Sequence, residues 1–88
     1  MTKKEILKAM LDAVLEAEEL TGGHIWFEYS PHVNTVRVTT YVQKRFDSHA
    51  EVDDIIYLLE YAEPTEEALD ALRWRLLPEN LSKVWTKA

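Results

Sequence analysis

Eighty-eight residues, 47% of them hydrophobic and 30% charged, suffice for one globular domain spanning 1–88. A chain this short buries only about 60–65% of its unfolded surface, so its core is small and association with another chain would supplement it. The lack of cysteine excludes disulfides, thiolate nucleophiles, iron–sulfur clusters and cysteine-ligated zinc, and it fits a cytoplasmic location. Net charge is −6 and uneven: residues 1–44 carry five Lys/Arg against six Asp/Glu, residues 45–88 five against ten. That balance opposes direct binding to nucleic acid, which draws on cationic neutralisation of phosphates. It suits contact with basic surfaces of other proteins, or simple solubility.

In chain order, residues 3–20 predict a helix. Ile6, Leu7, Met10, Leu11, Val14 and Leu15 recur at the spacing of one apolar stripe, with Lys4, Lys8, Asp12, Glu16 and Glu19 elsewhere on the surface. Thr2 and Glu5 have the spacing of a capping box, and Thr21-Gly22-Gly23 offers a left-handed glycine exit. The same charged pattern excludes a signal peptide, and no apolar run of about 18 residues exists, so the chain is expected to be neither exported nor membrane-spanning.

Residues 24–30, rich in aromatic and β-branched types, predict a strand. Pro31 and Asn34 mark a turn. Residues 35–45 alternate as a second strand, with Val36, Val38, Thr40 and Val42 on one face and Arg37, Thr39, Tyr41 and Gln43 on the other. Residues 50–62 fit two patterns: Val52, Ile55, Ile56 and Leu59 would form a helical stripe. As a strand, Ile56 and Leu58 would face one side and Ile55, Tyr57, Leu59 and Tyr61 the other. The strand is preferred because a lone hairpin is marginally stable and a third strand completes the sheet.

Thr65 then caps a helix whose first turn holds Glu66 and Glu67. Leu69, Leu72, Leu76 and Leu77 supply its apolar stripe up to Pro78, with Arg73 and Arg75 at its end. Leu81, Val84 and Trp85 suggest a last turn within 79–88. The expected architecture is α+β, in the order α-β-β-β-α. A three-stranded antiparallel sheet would carry both helices on one face. Ile25, Phe27, Tyr29, Val36, Val38, Thr40 and Val42 would face the helices. Trp26, Glu28, Arg37, Thr39, Tyr41 and Tyr57 would occupy the other face, unless the segment 79–88 folds over it.

Candidate chemistry is sparse. His24 and Glu28 lie four residues apart on one strand face, roughly 13 Å, too far to share a metal. His32 falls in a turn and His49 in a polar loop. The string His49-Ala50-Glu51 has the His-x-Glu of zinc deaminases without the cysteines that chemistry requires. The Asp47, Glu51, Asp53 and Asp54 run lacks the glycine and terminal glutamate of a calcium loop. The two glycines are adjacent, so no phosphate loop, dinucleotide fingerprint or nucleophile elbow exists. No enzyme activity, cofactor or metal is expected.

The order α-β-β-β-α resembles double-stranded RNA-binding domains in topology. That family places lysines at the start of the last helix, where this chain has the acidic stretch Thr65-Glu66-Glu67-Ala68-Leu69-Asp70. A second resemblance rests on Trp26-Phe27-Glu28-Tyr29-Ser30-Pro31-His32-Val33-Asn34 followed by Ile56-Tyr57-Leu58. An aromatic strand, a turn and an Ile-Tyr-Leu strand in this order look like small phage and prophage proteins of Gram-positive hosts, with Pro31 standing where that group has glycine. The likeness covers about forty residues; it implies the third strand and an accessory role.

Two surfaces therefore stand out. Trp26, Arg37, Tyr41 and Tyr57 are of the types enriched at interface anchors. Asp47, Glu51, Asp53, Asp54, Glu66, Glu67 and Asp70 form an acidic surface. The expectation is a non-catalytic interaction module binding a protein partner through one of these. A structural homo-oligomer subunit is the alternative, and a small enzyme or ligand carrier a third option.

Overall fold

A computed structural model describes residues 1–42 and 54–85 of the chain, with the side chains of Val42 and Asp54 excepted. Candidate residues Asp47, Glu51 and Asp53, together with His49, lie outside them. The element order is α1 (Lys3–Thr21), β1 (Ile25–Ser30), β2 (Thr35–Val42), β3 (Asp54–Ala62), α2 (Glu66–Arg75) and α3 (Pro78–Trp85). The fold is thus α+β as expected, with one helix added at the end.

Helix α1 begins where its orphan backbone donors find side-chain acceptors. The Glu5 amide donates to Thr2 Oγ1 (3.2 Å), and the Thr2 amide donates to Glu5 Oε1 (2.9 Å), which completes the capping box. The Thr2 backbone and then its hydroxyl hold the Glu5 carboxyl below its ordinary pKa. The helix ends at Gly22, whose φ of 73° lies in the left-handed region that favours glycine.

The buried stripe of α1 is Ile6, Met10, Val14 and Ala17. This is narrower than the sequence pattern: Leu7 is half-buried, while Leu11 and Leu15 are 41% and 54% exposed. Residues at i and i+1 lie about 100° apart around a helix, and only one line of α1 meets the sheet and α2.

The strands form one antiparallel sheet in the order β1-β2-β3. β1 and β2 pair without interruption from Ile25↔Thr40 to Ser30↔Thr35. Their loop, 31–34, ends at Asn34 with φ 52°, a conformation that asparagine tolerates better than most residues. The Tyr29 hydroxyl donates to Asn34 Oδ1 (3.0 Å) and fastens that turn, and Lys3 Nζ lies 5.8 Å from the Tyr29 ring centroid.

β3 confirms the strand reading of this segment but departs from simple alternation. Val38 pairs with Leu59, yet Thr39 pairs with Tyr57; a second irregularity separates Val36↔Ala62 from Val38↔Leu59. β3 therefore carries two more residues than β2 over this stretch, and Tyr61 takes φ 52°. The expectation that Leu59 faces the open side is overturned. The extra residue turns it inward, so the fully buried Leu58 and the half-buried Leu59 both pack against the core.

Thr65 caps α2 by accepting from the Ala68 amide (3.1 Å), and Leu69 and Leu72 are buried. The helix stops at Leu76, also buried. Leu77, expected in the same stripe, is 41% exposed because the chain turns there into Pro78, the first residue of α3. Asn80 Nδ2 donates to the Trp74 carbonyl (2.6 Å) and secures the corner.

Helix α3 does not cover the open sheet face. It touches α1, α2 and β2 on the helix side, with Leu81 fully buried. Trp85 Nε1 donates to Thr40 Oγ1 (2.9 Å), and that hydroxyl donates to the His24 carbonyl (2.8 Å). Thr40, a polar residue with no exposed surface, thereby satisfies both its hydrogen-bonding roles. The Trp85 ring lies so close to Gly23 that a Cβ there would run into it.

Two outcomes follow from these contacts. Gly23→Ala should lower stability by about 1–3 kcal/mol in urea unfolding through overpacking against the ring, and the loss should shrink in a Trp85→Ala background. An equal loss in both backgrounds would show that the ring is not the cause. Because the Glu5 pKa is lowered on folding, its contribution is full at neutral pH and disappears as pH falls through the folded value. Glu5→Gln should lower stability at neutral pH and flatten the acid limb of the stability curve.

Candidate functional site

The helices share one side of the sheet, so strand alternation sends every second side chain of β2 to the other. Val36, Val38 and Thr40 are buried under the helices, while Arg37, Thr39 and Tyr41 lie on the open side. The register sets their neighbours. Trp26, Thr39 and Tyr57 form one row across the three strands, Tyr41 and Ile55 a second, and Glu28 and Arg37 a third. With strands about 4.8 Å apart, a row is roughly 10 Å wide.

The structure thus brings the four sequence-selected residues, Trp26, Arg37, Tyr41 and Tyr57, onto one face. Trp26 meets Tyr41 edge-on, with ring centroids 6.2 Å apart and planes at 83°. That arrangement aims the positive edge of one ring at the negative face of the other. Trp26 remains 56% exposed and Tyr57 42%, whereas Thr39 between them is 7% exposed.

Arg37 Nη2 donates to Glu28 Oε2 at 2.8 Å directly across the strand pair. The hydrogen bond to Glu28, then its charge, raises the Arg37 pKa, and the Tyr57 and Tyr61 phenols lie within electrostatic reach. The pair is solvent-exposed, so screening leaves it little energetic weight. Its effect is geometric: it holds the guanidinium along the sheet next to the aromatic rows.

Two members of this face were not singled out by sequence reasoning. Ile55, opposite Tyr41, is 49% exposed, and Tyr61 is 67% exposed within reach of Arg37. Alternation along 55–61 points to Ile55. It puts Tyr61 on that side too, where Tyr61 lies although two register shifts and a left-handed backbone intervene.

The acidic candidates fall elsewhere. Glu66, Glu67 and Asp70 are exposed on the first turns of α2, in the helix layer behind the sheet. Glu66 Oε2 lies 3.9 Å from the terminal ammonium of Met1. Asp54 opens β3, paired with Val42. The α2 carboxylates and the aromatic rows therefore belong to opposite layers. Among the described residues, no group of three or more His, Asp or Glu is placed to hold a metal ion. His24 and His32 are both exposed. No helix among the described residues is long and apolar enough to cross a membrane.

The ring contact has a measurable signature. A double-mutant cycle of Trp26→Ala and Tyr41→Ala, read by urea unfolding, should give a coupling of about 0.5–1.5 kcal/mol. Additive losses would mean that the two rings do not touch in solution. No protein-family model, curated protein or solved structure matches this chain.

Proposed function

We propose that this chain is a non-catalytic, cytoplasmic protein-interaction module that docks another protein on its open sheet face, in an accessory role of the phage or prophage kind. One observation carries the reading. Trp26, Tyr41, Tyr57 and Arg37 share the sheet face opposite the helices, and Trp26 and Tyr57 stay substantially exposed. Trp, Tyr and Arg are the side chains in which binding energy concentrates at protein interfaces. Trp26 and Tyr41 touch edge-on and Arg37 is hydrogen-bonded to Glu28, contacts that lower the side-chain entropy these three residues would lose on binding.

The acidic residues supply a second way to meet a partner. Glu66, Glu67 and Asp70 would steer a basic protein surface toward α2, in the manner of an inhibitor offering carboxylates to a nucleic-acid-binding groove. The two modes respond differently to salt, since exposed charge pairs are largely screened when the Debye length falls to a few ångströms. The aromatic reading favours docking that persists there.

The test is affinity capture from a lysate of the source cell, with parallel baits. A partner held by the wild type should survive about 0.5 M salt. Trp26→Ala or Tyr57→Ala should weaken its binding at least tenfold, the scale of an interface hot spot. Glu67→Gln with Asp70→Asn should leave it in place. Identical partners on wild type and Trp26→Ala would remove the sheet face from consideration. Loss in salt and with the α2 variants would assign docking to the carboxylates.

A further inference from the structure

We infer that two copies of this chain pair through the outer edge of β1, antiparallel and centred on Phe27, to make one continuous six-stranded sheet. This goes beyond docking on the sheet face and does not depend on it.

The two edges of the sheet are unlike. β3 is broken by two register shifts and a left-handed Tyr61, features that bend an edge and stop it from templating another strand. β1 has no such guard. Its six residues, Ile25-Trp26-Phe27-Glu28-Tyr29-Ser30, are in unbroken register with β2 and include no proline, lysine or glycine. Among the described residues, no further strand pairs with its outer side.

The helix-side layer is also unfinished there. On β2 the residues of that layer, Val36, Val38 and Thr40, have no exposed surface. On β1 only Ile25 is buried, while Phe27 and Tyr29 are half-buried. The apolar layer therefore thins at the one regular edge.

A second copy of β1 fits that edge in a single register. Residues directly opposite in an antiparallel pair project to the same side, so a twofold axis perpendicular to the sheet pairs residues of the same face. Centred on Phe27, the pairing sets Phe27 against Phe27 and Ile25 against Tyr29 on the helix side, and Trp26 against Glu28 on the open side. Centring on Glu28 would leave Ile25 without a partner in the strand. Centring on Trp26 would leave Tyr29 without a partner. A slip to a register centred between two residues would place the helix-side residues of one copy on the open side of the other. Like every register centred on a residue, the Phe27 register makes the two aromatic faces coplanar.

Charge sets how this pairing responds to salt. Two chains of net −6 repel each other, while Glu28, the one charge on β1, is neutralised by Arg37. Added salt screens the general repulsion without weakening backbone pairing, so dimerisation should tighten with ionic strength, opposite to a carboxylate-driven contact. A strand about 20 Å long gives an interface at the small end of the range, with an expected dissociation constant of about micromolar or weaker.

Sedimentation equilibrium of the full chain, from about micromolar to about millimolar, is expected to move from 10.3 kDa to twice that mass, at lower concentration in high salt. In the same wild-type samples, amide exchange of Ile25–Ser30 should slow as the dimer fills, with β3 unchanged. Because the chain has no cysteine, Phe27→Cys should cross-link to itself on oxidation, whereas Tyr57→Cys should not. A mass of 10.3 kDa throughout would overturn the proposal. So would a dimer that protects β3 instead of β1, or one that cross-links through Tyr57→Cys, since that would be pairing through sheet faces. The exchange measurement needs no variant, so the outcome stands even if Phe27→Cys folds poorly.

Discussion

Strand β2 lies between the other two strands, and each of its side chains must enter one of two layers. Because the helices all sit on one side, Val36, Val38 and Thr40 are committed to the core, and Arg37, Thr39 and Tyr41 to the opposite surface. A shift of one residue would exchange the two sets and bury a guanidinium. That prohibition fixes the register of β1 and β3 against β2, and with it which aromatic rings share a face. Thr40 is the one polar member of the inward set. Its hydroxyl receives the Trp85 indole and reaches the His24 carbonyl, tying the last helix to the turn that follows the first.

The irregularities of β3 serve the same division. Two extra residues in β3 let both Leu58 and Leu59 pack inward, which strict alternation forbids, and they leave Tyr61 outside within reach of Arg37. The cost is a strained backbone at Tyr61, of the order of 1–3 kcal/mol for a residue held in such a region. The same distortion makes β3 a poor template for another strand. The regular edge of the sheet is left on β1, where the apolar layer also thins.

The proposed function is a question of surfaces. The described residues present exposed carboxylates on α2 and an aromatic face on the sheet, in opposite layers. The proposed docking role draws on the second, and the edge pairing would double it by joining two such faces side by side.

Much of this was legible in the residues themselves. Short-range chemistry determined the limits of α1 through Thr2, Glu5 and Gly22, the start of α2 through Thr65, and the hairpin turn at Asn34, because a cap or turn needs only neighbours three or four residues away. Alternation determined the two faces of β1 and β2, and so Trp26, Arg37 and Tyr41 as residues of the open face, since the period of a strand is a local property. Tertiary structure alone decided the rest. Leu11, Leu15 and Leu77 look like core in sequence and stand exposed, because burial depends on which line of a helix meets a partner. Leu59 turns inward because bulges arise from pairing with β2, not from the sequence of β3. The side of the sheet on which Trp85 lands was open in the sequence; Thr40 and Gly23, forty-five and sixty-two residues away along the chain, decide it by supplying a hydroxyl and a missing Cβ.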